Sequence, residues 1–124
     1  METAIMGKTV VAAKIENLED LFGAHKGTLS DDRVRRVEVT DALVDTGAAE
    51  LLMPKRFIDL LGLEPLRIRP SRTLGGPIPI QMHRAVRLTV QGRDCVCDVG
   101  EIPDEFPVII GQVPLEIKIG RAHV

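Results

Sequence analysis

Apolar residues recur in short runs along the chain, bounded by Gly, Pro and charged positions, the pattern of strands joined by turns. Residues 9–16, rich in Val, Ala and Ile, form the first such run; residues 1–8 carry no pattern and read as an N-terminal extension. Residues 18–30 hold Gly23, Gly27 and mixed charge, and predict a short helical turn followed by a surface excursion. Residues 33–44 predict a second strand, with a bulge where Thr40-Asp41 breaks the alternation. Pro54 opens a helix over 55–61 and Gly62 closes it, which follows the preference for Pro at a helix start and Gly just past its end. Residues 66–72 and 78–90 predict strands joined by a turn at Leu74-Gly75-Gly76-Pro77, and Gln91-Gly92 turns the chain into a strand over 94–99. Residues 101–107 read as an acidic, proline-bearing loop. Val108-Ile109-Ile110-Gly111 is wholly apolar and predicts a strand buried on both faces, and a turn or short helix follows over 112–116.

The expected fold is therefore mainly β: about six or seven short strands, one short helix and tight turns, forming a small closed unit around one core. A chain of 124 residues suffices for one such domain.

Composition narrows the functions open to it. Aromatic residues make up 2%, with no Trp and no Tyr, which argues against stacking platforms for single-stranded nucleic acid and against aromatic ligand cages. A net charge of -2 supplies no field for nucleic acid or an anionic membrane, and Arg33-Val34-Arg35-Arg36 is too short to change that; it reads as a solvated face. No apolar run approaches the length of a membrane span, and no basic segment precedes an apolar core at the N-terminus, so a cytoplasmic protein is expected. Cys95 and Cys97 lie two apart on a predicted strand, a poor geometry for a mutual disulfide, and no other Cys or His stands at metal-ligand spacing. His25, His83 and His123 are scattered and read as surface or structural residues. Glu101, Asp104 and Glu105 read as a solvated loop. Neither metal nor cofactor is expected.

One stretch carries chemistry: Ala42-Leu43-Val44-Asp45-Thr46-Gly47-Ala48. An apolar strand runs into one carboxylate and the chain then turns on Thr-Gly. A bare Asp-Thr-Gly says little. Its setting says more: the helix opening on Pro54, the Gly75-Gly76 turn between two strands, and Pro107-Val108-Ile109-Ile110-Gly111-Gln112-Val113-Pro114-Leu115-Glu116 near the end. Together these resemble the retropepsin-like (clan AA) aspartic proteases, in their short bacterial and archaeal single-domain form. The resemblance covers residues 9–117. It implies a closed β-barrel of the half-pepsin type with a flap hairpin, working as a homodimer on peptide or protein substrates.

The resemblance also implies roles. Asp45 would be catalytic, one from each chain. Thr46 would bond across the dimer axis, the Gly47 N–H would hold the Asp45 carboxylate, and Ala48 would let the two loops meet. Thr73, Leu74, Gly75, Gly76 and Pro77 would form the flap tip. Leu52, Ile78, Ile80 and Val108 are candidates for an apolar substrate cleft. Ile109, Ile110 and Gly111 would pack beneath the catalytic loop. Gln112 stands where many retroviral relatives carry Arg. Asp-Thr-Gly occurs once, and its nearest echo, Asp98-Val99-Gly100, lacks the hydroxyl, so a two-fold axis is the economical way to bring two carboxylates together. The rival reading is a non-catalytic β-barrel module for binding or dimerisation, with the loop kept as a structural turn and Gly75-Gly76 as an ordinary hairpin turn.

Family members of this short type continue after Pro-Leu-Glu into a helix and a final strand, so the domain is expected to be cut short here. The codons ATC GGA AGA GCA CAC GTC, one reading frame of a common sequencing adapter, encode Ile119-Gly120-Arg121-Ala122-His123-Val124, and residues 118–124 are expected to be a non-native tail.

Overall fold

The computed structural model describes residues 3–5, 8–73, 76–112 and 114; the expected tail and the tip residues Leu74 and Gly75 lie outside them. The described strands are β1 (Thr3–Ile5), β2 (Lys8–Asn17), β3 (Arg36–Val44), β4 (Leu51–Pro54), β5 (Glu64–Thr73), β6 (Gly76–Val90), β7 (Arg93–Ile102) and β8 (Ile109–Ile110). Two α-helices, α1 (Leu18–Lys26) and α2 (Lys55–Leu61), and a 3-10 turn at Asp31–Arg33 complete the described elements. The strands form one sheet in the order β1-β2-β3-β8-β4-β7-β6-β5, and β2 also pairs with β6, so pairing runs in a ring through β2, β3, β8, β4, β7 and β6. The two long strands make this possible. β2 pairs with β1 through Lys8–Val10 and with β6 through Lys14–Asn17, while β6 pairs with β5 before it reaches β2.

Period-two alternation places the core. Val11, Ala13 and Ile15 of β2, Val37 of β3, Val86, Leu88 and Val90 of β6 and Val99 of β7 point inward, and α2 adds Ile58 and Leu61. Val108 and Ile110 join this same core. A second, smaller cluster of Ala48, Leu52, Ile80 and Met82 packs with Ile102 and Ile109. The bulge falls where the alternation breaks: Val11 faces Ala42 and Ala13 faces Val39, leaving Thr40 and Asp41 opposite the single Ala12. Gln91 and Gly92 both take positive φ (52° and 77°), the geometry that a two-residue hairpin turn requires.

The single-helix expectation is corrected. Residues 18–26 form a full helix with complete end signals. The Asn17 side chain accepts from the Asp20 N–H (2.9 Å), Glu19 and Asp20 stand in the first turn, and Gly27 closes the helix at φ 83°. The Asn17 side chain also donates to the Leu61 carbonyl (2.8 Å), so one buried residue starts α1 and ends α2. The basic cluster does expose its three arginines, and two of them also form ion pairs. Val34 is buried, Arg35 holds Asp20 through Nε (2.8 Å) and Nη2 (3.1 Å), and Arg36 reaches Glu16. Glu101 belongs to β7 and accepts the buried His83 imidazole (3.0 Å), while Asp104 accepts the Arg56 N–H at the start of α2 (2.8 Å). Neither cysteine takes part in a disulfide. Contact with Cys95, then burial, pushes the Cys97 pKa up and keeps it protonated at neutral pH.

The β5–β6 hairpin ends in the pairs Arg69↔Ile80, Pro70↔Pro79, Ser71↔Ile78, Arg72↔Pro77 and Thr73↔Gly76. Facing prolines have no N–H to exchange, so Pro70↔Pro79 is a non-hydrogen-bonded pair, and Arg69↔Ile80 and Ser71↔Ile78 are the bonded ones. Pro77 falls in the same phase as Pro79, so the missing donors cost this ladder nothing. β7 reaches along β6 only as far as Met82, and residues 77–79 are exposed.

Glu16 is the one carboxylate in the described core, 2% exposed. It lies between Arg36 on β3 (3.0 Å) and Arg87 on β6 (2.8 and 3.1 Å). Burial pushes its pKa up, but the hydrogen bonds from Arg87 and Arg36 together with the charges of Arg87 and Lys14 outweigh this and leave it lowered. Asp20 is also lowered, chiefly by the hydrogen bond from Arg35. A carboxylate with a lowered folded pKa stabilises above its unfolded pKa and loses that contribution as pH falls through the folded value. Thermal midpoints should therefore hold at neutral pH and fall below about pH 4. Glu16→Gln should cost about 2 kcal/mol at pH 7 in urea unfolding and flatten the acid limb; an acid limb as steep as the parent's would overturn this assignment.

Candidate active site

Asp45 follows the last residue of β3, and the loop 45–50 carries the chain across to β4. β8 lies between the two strands. It runs parallel to β3 (Leu43↔Ile109, Val44↔Ile110) and antiparallel to β4 (Leu51↔Ile110, Leu52↔Ile109). The loop is therefore draped over the end of β8 and bonded to the backbone beneath it. The Asp45 N–H donates to the Ile110 carbonyl (3.0 Å), the Gly111 N–H to Glu50 (2.9 Å) and the Gln112 N–H to Ala48 (2.8 Å). Within the loop, the Ala48 N–H donates to the Asp45 carbonyl (3.1 Å) and closes a turn.

The Gly47 N–H donates to Asp45 Oδ1 (2.9 Å). A Cβ on Gly47 would lie 3.1 Å from that oxygen, a tight contact that would push on the carboxylate, so glycine suits this position through close approach and not through an unusual φ. Asp45 is half-buried, and Thr46 and Gly47 are exposed. Ala48 is buried against Leu52 and Ile80 in the second cluster. The loop thus presents one oriented carboxylate, with one oxygen held by a backbone donor, beside an apolar floor. A carboxylate so placed can accept or give a proton at a substrate atom.

Of the cleft candidates, Leu52 and Ile80 share the second cluster, and Ile78 lies farther along the same face of β6, 42% exposed. Val108 differs: at 1% exposure it belongs to the main core, because its carbonyl accepts the Leu43 N–H and draws it in beside β3. Ile109 packs toward the second cluster and Ile110 toward the main core, so β8 is shared between them. Thr73 and Gly76 pair at the end of the β5–β6 hairpin, and Pro77 is exposed beside them. Sequence reasoning missed β4 and the ion pair from Arg69 Nη2 on β5 to Glu50 Oε1 in the loop (2.7 Å). Leu51-Leu52-Met53 is short and apolar throughout, all four positions of β4 being buried, so no alternation marks it. No periodicity links a loop carboxylate to an arginine on a distant strand.

Gly111 sets the tightest steric limit. A Cβ there would stand 2.4 Å from the Glu50 carbonyl oxygen, 2.7 Å from that of Ala48 and 2.8 Å from the Ala49 carbonyl carbon, all backbone atoms that cannot swing away. Gly111→Ala should cost about 3 kcal/mol and speed amide exchange across 45–50. Parent-like unfolding would show that the loop does not press on β8.

The family model described as Aspartyl protease matches residues 26–113, more than half of the chain, and the match includes both Asp45 and Gly111. No curated protein matches the chain. With the strand–loop–strand arrangement around Asp45, that match makes the conclusion plain: the chain belongs to the retropepsin-like, clan AA family of aspartyl proteases.

Proposed function

We propose that the protein is a homodimeric aspartic endopeptidase in which each chain supplies one Asp45. The observation that carries this reading is the Asp45 carboxylate held by the Gly47 N–H at the end of a strand, in a chain of the aspartyl protease family. The ring of paired strands reads as the closed barrel of that family, and the β5–β6 hairpin as its flap. The exposure of Thr46 and Gly47 leaves the face of the loop open to a partner loop.

The chemistry follows from bringing two carboxylates to within about 3 Å. Both cannot ionise, so the pair shares one proton and titrates as a unit. Water sits between them. The ionised carboxylate takes a proton from the water as its oxygen attacks the scissile carbonyl carbon, and the protonated one donates to the carbonyl oxygen. The resulting diol collapses with proton transfer to the leaving amine. Leu52, Ile78 and Ile80 favour an extended, apolar peptide in the cleft.

Asp45→Asn should lower kcat by about a thousandfold while the thermal midpoint stays close to the parent's. Undiminished cleavage would sink the mechanism and leave a non-catalytic barrel module as the reading. Parent and Asp45→Asn chains mixed in equal amounts and left to exchange should pair at random, so about a quarter of the dimers keep both carboxylates. Activity should then be about half that of the same quantity of parent alone; an unchanged rate would mean that one chain suffices. The pH dependence of kcat/KM should be a bell with both limbs set by the dyad, and Asp45→Glu should displace it; a flat profile across the acid range would contradict a shared proton.

A further inference from the structure

The β5–β6 hairpin meets the catalytic loop segment at two places, one apolar and one ionic. On β6, Ile80 is buried against Ala48 and Leu52. On β5, Arg69 stands directly opposite Ile80 and shares its face, and its Nη2 reaches Glu50 Oε1 at 2.7 Å. Glu50 is fixed from the other side, since its carbonyl accepts the Gly111 N–H. Its side chain is 13% exposed and that of Arg69 38% exposed. One residue farther out the hairpin reaches Pro70↔Pro79, a non-hydrogen-bonded pair, and residues 77–79 are exposed. The ion pair therefore sits where the arm leaves the body of the domain.

An ion pair this open to solvent adds little to global stability. What it can do is fix an angle. The Ile80 contact is non-directional and lets the arm rock about β6. A charge-assisted hydrogen bond on the neighbouring strand removes that freedom by tying β5 to a residue already anchored on Gly111. We infer that Glu50 and Arg69 are positioning residues: their ion pair clamps the base of the hairpin to the catalytic loop and so sets how the hairpin stands over Asp45. The inference rests on the proposed peptidase reading for its kinetic consequence, while its structural claim stands apart from activity. The pair acts through the hairpin and touches no reacting atom.

Arg69→Gln and Glu50→Gln each remove one charge. Arg69→Lys keeps the charge, and because only one nitrogen makes the contact, lysine can replace it. In the full chain, amide exchange over 76–81 should speed about tenfold in both Gln variants. Exchange over 86–90, where β6 is held by β7 and β2, should not change, nor should the thermal midpoint. On a fluorogenic apolar peptide, KM should rise about tenfold with kcat within about twofold of the parent. Arg69→Lys should restore both readouts. Parent-like exchange over 76–81 in the Gln variants would overturn the clamp, as would faster exchange everywhere, which marks a general loss of stability. Exchange that responds as expected while Asp45→Asn cleaves like the parent would uphold the clamp and discard the peptidase mechanism.

Discussion

The arrangement around Asp45 depends on one steric fact: the backbone of 48–50 and the backbone of Gly111 are in contact with no space for a Cβ between them. The two-residue strand β8 can enter between β3 and β4 only because its following residue is glycine. Once there, its Ile110 carbonyl accepts the Asp45 N–H, and the N–H groups of Gly111 and Gln112 that follow donate to the carbonyls of Glu50 and Ala48. A loop that would otherwise have a run of unpaired backbone groups is held from below, and the Gly47 N–H is free to point at the carboxylate. The partners are far apart in sequence, so the loop cannot take its final form until the end of the domain has joined the sheet. The order around Asp45 therefore rests on contacts of high sequence separation.

Legibility in the sequence followed the reach of each physical signal. Val, Ala and Ile content located β2, the Gln91-Gly92 turn separated β6 from β7, and the break at Thr40-Asp41 located the bulge, because each depends on neighbouring residues alone. Pro54 and Gly62 marked the ends of α2 for the same reason. Helix α1 was underread: Gly23 and scattered charges blur its apolar stripe, and its ends rest on capping by Asn17 and Gly27 more than on burial, since no residue of α1 is buried. Asp45 and Gly47 stood out through a motif, whereas Val108 looked like a cleft residue until the bond to Leu43 placed it in the core. Glu50 carries no local mark. Its importance comes from two contacts, each with a residue on another strand or beyond one.

Those long-range polar contacts share a design. Glu16, Asp20 and Glu50 are each shielded carboxylates met by arginines from a different element, and Asn17 joins the two helices through one amide. The chain is nearly neutral overall, and these three carboxylates stand at seams between separate segments of the fold. Apolar burial supplies most of the stability in such a domain, while directional bonds at the seams select one register from the several that a small, aliphatic, aromatic-poor sheet could adopt.

The prolines of the hairpin have a consequence beyond its own ladder. Past Met82 no other described strand pairs with the β5–β6 arm, and a two-stranded ribbon with open edges is the kind of element that recruits stray strands and seeds aggregation. Pro70 removes an outward donor from one edge, and Pro77 and Pro79 remove two from the other. An incoming chain that tried to lengthen the sheet there would find donors missing at Pro70 on one edge and at Pro77 and Pro79 on the other. The proline-bearing ends of these strands thus offer fewer donors to a stray strand than an ordinary ribbon of the same length would.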